Sequence, residues 1–393
     1  MNERSKVEAT PRRFDEKQAA GAPLPPSKAR YIMIGGFLGA GKTTAVAALA
    51  ERLTKRGLKV GLITNDQGSE LVDTAMLRAK GFATEEIPGG CFCCRFNSLV
   101  DAAEKLDASS SPDVFIAEPV GSCTDLVATV TYPLRRIYGD NYLVAPLSVL
   151  VDPVRAERVF GLGEGGKFSD KVIYIYRKQL EEADLIVISK TDTLDAARYE
   201  RLRAKLAAEF PHAEVIATSV RTGDTEAWFA KIENSEQGTR AAMEVDYEIY
   251  AEGEALLGWL NATVQLAHAD GFDSEPVLQA LARRIQRTLA GAEIAHLKMT
   301  LSPDTGLGDV AVINLVRSDF VPELSLRLEA PVPSGQLIVN VRAEAAPEQL
   351  RDAVREAVET IAADFPGLSA QLDHLEFFRP GKPQPTHRIT SPV

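Results

Sequence analysis

The nine residues GFLGAGKTT, which begin at Gly36, constrain the fold of this chain more than any other segment. They follow the apolar run YIMIGG at residue 31, which predicts a buried strand. Glycines at this spacing let the backbone wrap around a phosphate group, so that its N–H groups and the N-terminus of the next helix face the anion. Lys42 would reach the β- and γ-phosphates, and the Thr43 hydroxyl would ligate Mg²⁺. We therefore expect a nucleoside triphosphate site formed by Gly36, Gly39, Ala40, Gly41, Lys42, Thr43 and Thr44.

Short apolar runs alternate with helical patterns from residue 31 to about residue 220. Strands that are apolar along their whole length are buried on both faces, as in a mostly parallel sheet flanked by helices. The predicted fold is therefore an α/β P-loop NTPase domain. The remaining runs are VGLIT at 60, VFIAE at 114, LSVLVD at 147, LIVIS at 185 and VIATS at 215.

The pattern changes after about residue 245. Ser274, Glu275 and Pro276 predict a helix start, and Gly291 predicts its end. The runs LSLRLE at 324 and QLIVNVR at 336 alternate apolar and polar residues, as strands with one face in water do. We therefore expect a smaller C-terminal α+β domain over residues 245–393, behind the P-loop domain of residues 31–238. Residues 1–30 hold seven Lys/Arg, four Asp/Glu and little apolar periodicity, which predicts a disordered tail.

Further nucleotide-binding residues are predicted at the ends of other strands. Glu118 follows the VFIA strand and precedes Gly121, so it would contact Mg²⁺ or its water, although a helix-capping acid is the alternative. SKTD at 189–192 resembles the guanine-reading motif, so Lys190 and Asp192 favour GTP over ATP. TSVRTG at 218–223 would lie over the other side of the base.

The water that attacks the terminal phosphate needs an orienting group. The segment ITNDQG offers Asp66 and Gln67, and the sequence does not choose between them. Catalysis in such a site depends on positioning and charge stabilisation rather than on a covalent nucleophile.

Three of the four cysteines lie within four consecutive residues: Cys91, Cys93 and Cys94, in PGGCFCC. Thiolates prefer Zn²⁺ or Cu(I) over Mg²⁺, and Zn²⁺ binds four ligands in a tetrahedron. The fourth ligand could be Cys123, a carboxylate such as Asp66, or water. A thiol redox switch is the alternative, since adjacent thiols oxidise readily once one is a thiolate.

The motifs together resemble the CobW-like GTPases, which are metallochaperones related to the nickel-insertion GTPases. GFLGAGKTT, GGCFCC, E-x-x-G at 118–121 and K-x-D at 190–192 occur in this order. The resemblance implies that Cys91, Cys93 and Cys94 bind a transition metal, Zn²⁺ or another such as Co²⁺ or Ni²⁺. It also matches Asn65 and Asp66 to the polar run after the family's second strand. GTP hydrolysis would then drive delivery of the metal to a client metalloprotein or cofactor enzyme. The alternatives are a nucleotide-gated redox sensor and a GTP-driven activator of a cofactor-dependent enzyme.

The amino-acid composition and net charge exclude some classes of binding partner. The chain is 45% hydrophobic and 25% charged, as in globular proteins. Its net charge of -11 argues against a broad nucleic-acid surface, because phosphate binding needs concentrated Lys and Arg. No apolar run approaches the roughly 18 residues that a membrane-spanning helix needs. We therefore expect a cytoplasmic protein without nucleic-acid or membrane partners, and a nucleotide-dependent homodimer is a further expectation.

Overall fold

The computed structural model of the protein describes residues 28–65, 74, 77, 78, 80–139, 141–306 and 308–393. Most of the predicted tail, residues 1–27, lies outside the described part, and the first strand begins at Ala29. Asp66 and Gln67, the candidates for orienting the attacking water, also lie outside it.

The N-terminal part of the described chain forms a parallel sheet. Its strand order is β3-β2-β4-β1-β6-β7-β8, and the short β5 pairs with one end of β1. A π-helix at Val127–Thr131 precedes α3, and a 3-10 turn at Thr191–Thr193 follows β7. The strands and helices are β1 (Ala29–Gly36), α1 (Lys42–Lys55), β2 (Val60–Asn65), β3 (Ala83–Ile87), α2 (Phe96–Ser110), β4 (Val114–Glu118), α3 (Tyr132–Tyr138), β5 (Tyr142–Val144), β6 (Ser148–Val151), α4 (Pro153–Val159), α5 (Asp170–Glu182), β7 (Leu185–Ile188), α6 (Ala196–Glu209), β8 (Glu214–Ala217) and α7 (Glu226–Asn234).

Both faces of this sheet are buried, as the continuous apolar strands predicted. Along β1, Tyr31 and Met33 join the core on one face, whereas Ile32 and Ile34 join the core on the other. Successive side chains of a strand point to opposite faces, so one apolar run supplies both cores. The predicted α/β fold with a mostly parallel sheet is confirmed.

The C-terminal part forms a six-stranded antiparallel sheet of order β12-β11-β10-β13-β9-β14. One face packs against α9 and α10 and supplies an apolar core of its own. The elements are α8 (Tyr247–Leu256), β9 (Leu257–Phe272), α9 (Ser274–Thr288), β10 (Ile294–Pro303), β11 (Ala311–Leu315), β12 (Glu323–Leu326), β13 (Val332–Glu344), α10 (Pro347–Thr360) and β14 (Ser369–Phe378). The expectation of a C-terminal α+β domain is confirmed.

The polar face of β13 is not in water at Asn340 and Arg342, which corrects the prediction for QLIVNVR. Asn340 and Arg342 of β13 are only 3% and 1% exposed. The face is covered because the parallel domain packs against it: Arg342 reaches Ser122, and Arg155 of α4 donates to the carbonyls of Ile294 and Ala295. The alternation of apolar and polar residues predicted the strand. It did not indicate that the parallel domain would cover the polar face of that strand.

The helix predicted to start at Ser274 is present, with Asp273 as its N-cap. The Asp273 carboxylate accepts a hydrogen bond from the Glu275 N–H. The helix ends at Thr288, and Gly291 follows in the left-handed conformation. Among the described residues, no helix combines the length and apolar character needed to cross a membrane.

Candidate nucleotide and metal sites

The loop between β1 and α1 has the backbone of a phosphate-binding loop. Gly36, Gly39 and Gly41 all have positive φ, a conformation that side-chain-bearing residues rarely adopt. A Cβ atom at Gly36 would lie 2.4 Å from the Leu150 carbonyl oxygen, so no other residue fits there. The loop leads directly into α1, whose first residue is Lys42, so the N–H groups of that helix end are directed at the loop.

Thr43 and Glu118, the two predicted magnesium ligands, meet beneath this loop. The Thr43 hydroxyl donates to Glu118 Oε1 at 2.9 Å, and both side chains are buried. Glu118 is the last residue of β4, which is paired with β1, so their carboxyl ends share one edge of the sheet. Hydroxyl and carboxylate oxygens are ligands that Mg²⁺ prefers, so this donor pair fits the ion.

Lys190 and Asp192 follow β7 at the same edge. The Lys190 ammonium donates to the Gly39 carbonyl at 2.9 Å and to Asp152 Oδ2 at 2.9 Å. Asp192 accepts a hydrogen bond from the Ser219 hydroxyl at 2.7 Å, which brings the predicted loop 218–223 beside the base-reading segment. The Ser189 hydroxyl donates to the Ala40 carbonyl at 2.8 Å. The base-reading segment is therefore tied to the phosphate-binding loop.

A cavity of about 330 Å³ joins these groups, and the C-terminal domain lines one side of it. Its size suits a small ligand. Part of its wall comes from β10, β11 and the following loop, which no sequence motif indicates. The residues along the wall include Gly41, Lys42, Thr43, Asn65, Glu118, Gly121, Asp152, Lys190 and Asp192 of the parallel domain, with His296, Lys298 and Arg317 of the antiparallel domain.

Asp152 connects the two domains at this cavity. Its buried carboxylate accepts from Lys190 on one oxygen and from Arg317 Nη1, at 3.2 Å, on the other. Burial alone would raise the pKa of Asp152, but the two cations outweigh it and lower the pKa to about 2. The carboxylate is therefore ionised throughout the physiological range. No local motif marks Asp152 or Arg317, because the contact spans 165 residues.

The three clustered cysteines converge in the loop between β3 and α2. The Cys91 and Cys93 sulfur atoms are 2.7 Å apart, and Cys94 lies 3.3 Å from Cys91 and 3.6 Å from Cys93. The three sulfur atoms lie within 4.8 Å of one another, close enough to share one metal ion. Cys91 and Cys93 are buried, and Cys94 is partly exposed.

Cys123 is the fourth thiol near the cluster. It is buried at the segment after β4, in the same apolar core as Cys91 and Cys93. Hydrogen bonds from Cys123, Cys93 and Cys94 lower the pKa of Cys91 well below its ordinary value. The pKa of Cys94 is raised to about 11, first because it shares a hydrogen bond with Cys91. The arrangement therefore favours one thiolate, on Cys91, held by neighbouring thiols.

Asn65 joins the cysteine loop to the nucleotide cavity. It is the last residue of β2 and is paired with Ile87 at the end of β3. Its side-chain amide donates to the Ile87 carbonyl at 2.8 Å and to the Gly90 carbonyl at 2.6 Å. Asn65 also lies along the cavity wall. One side chain thus contacts both candidate sites.

A phosphate-binding loop after the first strand of a parallel sheet, with an acid at a neighbouring strand end, defines a P-loop NTPase. Residues 30–217 match the family model for the nucleotide-binding domain of CobW/HypB/UreG. Residues 30–217 are therefore similar to the nucleotide-binding domain of that family, which confirms the resemblance to the CobW-like P-loop GTPases that the motifs indicated.

Two curated relatives each match nearly half of the chain. The zinc chaperone YjiA of Escherichia coli (strain K12) is 29% identical over 181 residues, which are 44% of this chain and 52% of that protein. The zinc chaperone CobW of a Sinorhizobium species is 30% identical over 197 residues, which are 45% of this chain and 54% of that protein. The matches span about half the length of these relatives. The crystal structure of Zn(II)-bound YjiA GTPase from E. coli aligns over 84% of this chain and 99% of that chain, with 16% identity and a TM-score of 0.38.

Proposed function

We propose that this protein is a GTP-dependent zinc chaperone, which binds Zn²⁺ through its cysteine loop and uses GTP hydrolysis to transfer the ion to a client protein. The observation that carries the proposal is the position of Asn65, whose side chain holds the cysteine loop and lies along the nucleotide cavity. The zinc-chaperone names of the two relatives support the choice of metal.

The nucleotide half of the mechanism rests on charge and positioning. Lys42 would stabilise the β- and γ-phosphates, while the backbone N–H groups of the phosphate-binding loop hold the triphosphate. Thr43 and Glu118 would hold Mg²⁺, which neutralises charge on the phosphates when bound. Lys190 would cover the guanine ring, and Asp192 would accept its N–H groups. Asp66 and Gln67 remain the candidates for orienting the attacking water.

The metal half rests on Cys91, Cys93 and Cys94. A bound Zn²⁺ requires thiolates, so binding displaces the thiol protons that the cluster holds without metal. Cys123, which lies in the same apolar core as Cys91 and Cys93, is one candidate for a fourth ligand. Asp66 or water are the other candidates. Co²⁺ and Ni²⁺ are alternative cargoes for the same ligands.

Coupling would pass through two segments that touch both sites. One ends at Asn65, and the other runs from Glu118 to Cys123. In GTPases, γ-phosphate and Mg²⁺ contacts order such segments, and hydrolysis releases them. A change at Asn65 or Glu118 would therefore alter how tightly the cysteine loop holds zinc.

The proposal also covers the roles of the two domains, the client, the cellular location and the oligomeric form. We propose division into a P-loop domain, residues 31–238, and a client-recognising or regulatory domain, residues 245–393. The client would be a metalloprotein or cofactor enzyme in the cytoplasm. A nucleotide-dependent homodimer is the proposed oligomeric form.

The transfer reaction tests the proposal. Reduced protein loaded with one equivalent of Zn²⁺ is mixed with a fluorescent zinc chelator and Mg²⁺, together with GTP, GDP or a non-hydrolysable GTP analogue. We expect slow zinc release with the analogue and faster release once GTP is hydrolysed. Equal release with all three nucleotides would contradict the proposal.

A thiol redox sensor is the second candidate, favoured by the lowered pKa of Cys91 and the 2.7 Å separation of its sulfur from Cys93. The same thiolate would form a disulfide with its neighbour when an oxidant removes two electrons. Protein purified without oxygen would then contain little metal and would lose and regain two thiols on peroxide and dithiol treatment. A stable one-to-one zinc content under those conditions favours the chaperone.

A further inference from the structure

The C-terminal segment of the chain returns to the cysteine loop. After β14 ends at Phe378, residues 379–393 leave the antiparallel domain and run across the parallel domain. The Gln384 N–H donates to Cys94 Sγ at 3.2 Å, and the Thr386 N–H donates to the Cys93 carbonyl at 2.9 Å. The segment therefore touches two of the three candidate zinc ligands, 290 residues away along the chain.

Prolines prepare this segment for that contact. Pro383 and Pro385 flank Gln384, and proline has no N–H group. Over residues 383–386, the only backbone N–H groups are those of Gln384 and Thr386, and both are donated to the cysteine loop. A residue before proline is also held in an extended conformation, so ordering the segment costs less entropy.

The end of the segment is anchored in the core of the parallel domain. Arg388 donates to the buried Asp125 carboxylate at 2.7 Å, and Tyr247 donates to the same oxygen. Asp125 has a φ of 65°, a strained conformation for this residue, which these two donors help to hold. The His387 ring packs edge-on against Phe96, the first residue of α2. Ile389 packs against the apolar core that contains the cysteines.

We propose that residues 383–389 form a removable cover over the cysteine site, here called the cover segment, which positions Cys94 and must move before a metal ion reaches or leaves the sulfur atoms. The metal part of this inference rests on the proposed function. An N–H donor to a ligand sulfur fixes its orientation and tunes its basicity, as second-layer partners of metal ligands do. Cys91 and Cys93 are only 6% and 1% exposed within the described part of the chain, so an ion that reaches them must displace some of the surrounding chain, and the cover segment contacts Cys93 and Cys94 directly.

Two double variants isolate the backbone donors. Gln384→Pro with Thr386→Pro removes both N–H groups, whereas Gln384→Ala with Thr386→Ala keeps them and removes only the side chains. The metal-free, reduced proteins are treated with an aromatic disulfide reagent whose released thiolate absorbs light. We expect the proline variant to react about tenfold faster at its first thiol than the alanine variant, because two hydrogen bonds no longer hold the cover segment closed. Equal rates within twofold, in variants with matching melting temperatures, would overturn the proposal.

The unaltered protein gives a second test that does not depend on either variant folding. Hydrogen exchange followed by mass spectrometry should show slow exchange in the peptide containing Gln384 and Thr386. With Zn²⁺ bound, the opening rate of that peptide should match the rate at which a chelator in excess removes the ion. Zinc release much faster than opening would contradict the cover. If the protein binds no Zn²⁺ but the proline variant still reacts faster, the cover proposal stands and the proposed chaperone function is wrong.

Discussion

The nucleotide site and the cysteine site lie side by side but stabilise buried charge differently. At the nucleotide site, the buried Asp152 carboxylate lies between Lys190 and Arg317, and its pKa falls to about 2. Beside the cysteine site, the buried Glu182 carboxylate accepts hydrogen bonds from the neutral Thr124 hydroxyl and Val127 N–H. Burial first, and then the nearby Asp125, raise the pKa of Glu182 to about 8. The Asp152 carboxylate is therefore ionised at neutral pH, whereas the Glu182 carboxyl keeps its proton there.

The two sites also differ in how far along the chain their parts come from. The phosphate-binding loop is one run of nine residues with its own strand and helix. The cysteine loop is held by hydrogen bonds from Asn65 and from the cover segment, which lie far from it along the chain. We expect changes at the nucleotide site to act on chemistry and changes at the cysteine site to act on metal binding and access.

The largest effect should follow from Lys42→Ala. Without the ammonium group beside the phosphates, GTP hydrolysis should fall by roughly 100- to 1000-fold, as when a preorganised charge donor is lost elsewhere. Zinc affinity without nucleotide should stay within twofold. Phosphate release measures GTP hydrolysis, and competition with a chelator measures zinc affinity. Lys55→Ala, at the exposed end of the same helix, is the control; a comparable loss of activity there would mean that the fold was damaged.

Cys93→Ser should have the opposite effect: it should weaken zinc binding without changing GTP hydrolysis. Loss of a ligand should reduce zinc affinity by more than the roughly 10- to 100-fold that second-layer changes cost. GTP hydrolysis without zinc should be unchanged, since Cys93 lies outside the nucleotide cavity lining. Competition with a chelator of known affinity measures the change. Cys123→Ser then decides the fourth ligand: a loss as large as that of Cys93→Ser makes Cys123 a ligand, and a small loss assigns the position to another donor.

Arg317→Ala tests the contribution of the C-terminal domain to the nucleotide site. Asp152 would keep only Lys190 as its cation, so the base-reading lysine would be held less firmly. We expect GDP affinity to fall by about tenfold, which corresponds to about 1.4 kcal/mol. Titration with a fluorescent GDP derivative measures it. Arg284→Ala removes an arginine of the same domain that pairs with Asp364 away from the cavity, and equal losses in both variants would exclude a local role for Arg317.

The smallest effect concerns pH and the Glu182 carboxyl. Its folded pKa of about 8 exceeds the ordinary value of 4.5, so the fold holds a proton that the unfolded chain releases. Its stabilising effect is full below pH 4.5 and is lost as the pH rises toward 8. Between pH 6 and 7, the free energy of unfolding should fall by up to about 1.4 kcal/mol more in the unaltered protein than in Glu182→Gln. Urea unfolding at the two pH values measures this difference. Glu181→Gln, at the preceding residue, should behave like the unaltered protein; a pH effect that survives in Glu182→Gln belongs to another group.

The features that could be predicted from the sequence are local ones, and those that could not depend on contacts between residues far apart in the chain. GFLGAGKTT, the strand before it and the three cysteines are local patterns, so their geometry could be anticipated. Glu118 lies beside Thr43 because parallel strands end at a common edge, and its role as a magnesium ligand stays a prediction. Arg317 and the cover segment could not be found, because their partners lie 165 and 290 residues away. For the cover segment, the run RPGKPQPTHR offered a signal in its spaced prolines, which favour an extended strand but do not name its partner.

The most direct measurement is the zinc affinity of the reduced protein with GDP and with a non-hydrolysable GTP analogue, both with Mg²⁺. We predict a difference of about tenfold between the two states, or about 1.4 kcal/mol of coupling, which also requires zinc to change nucleotide affinity by the same factor. Asn65→Ala should reduce the difference to less than twofold while leaving both sites able to bind their ligands. Equal zinc affinity in the two nucleotide states would contradict coupling between the sites. If Asn65→Ala keeps the full difference in zinc affinity between the two nucleotide states, the sites are coupled but the coupling does not pass through Asn65.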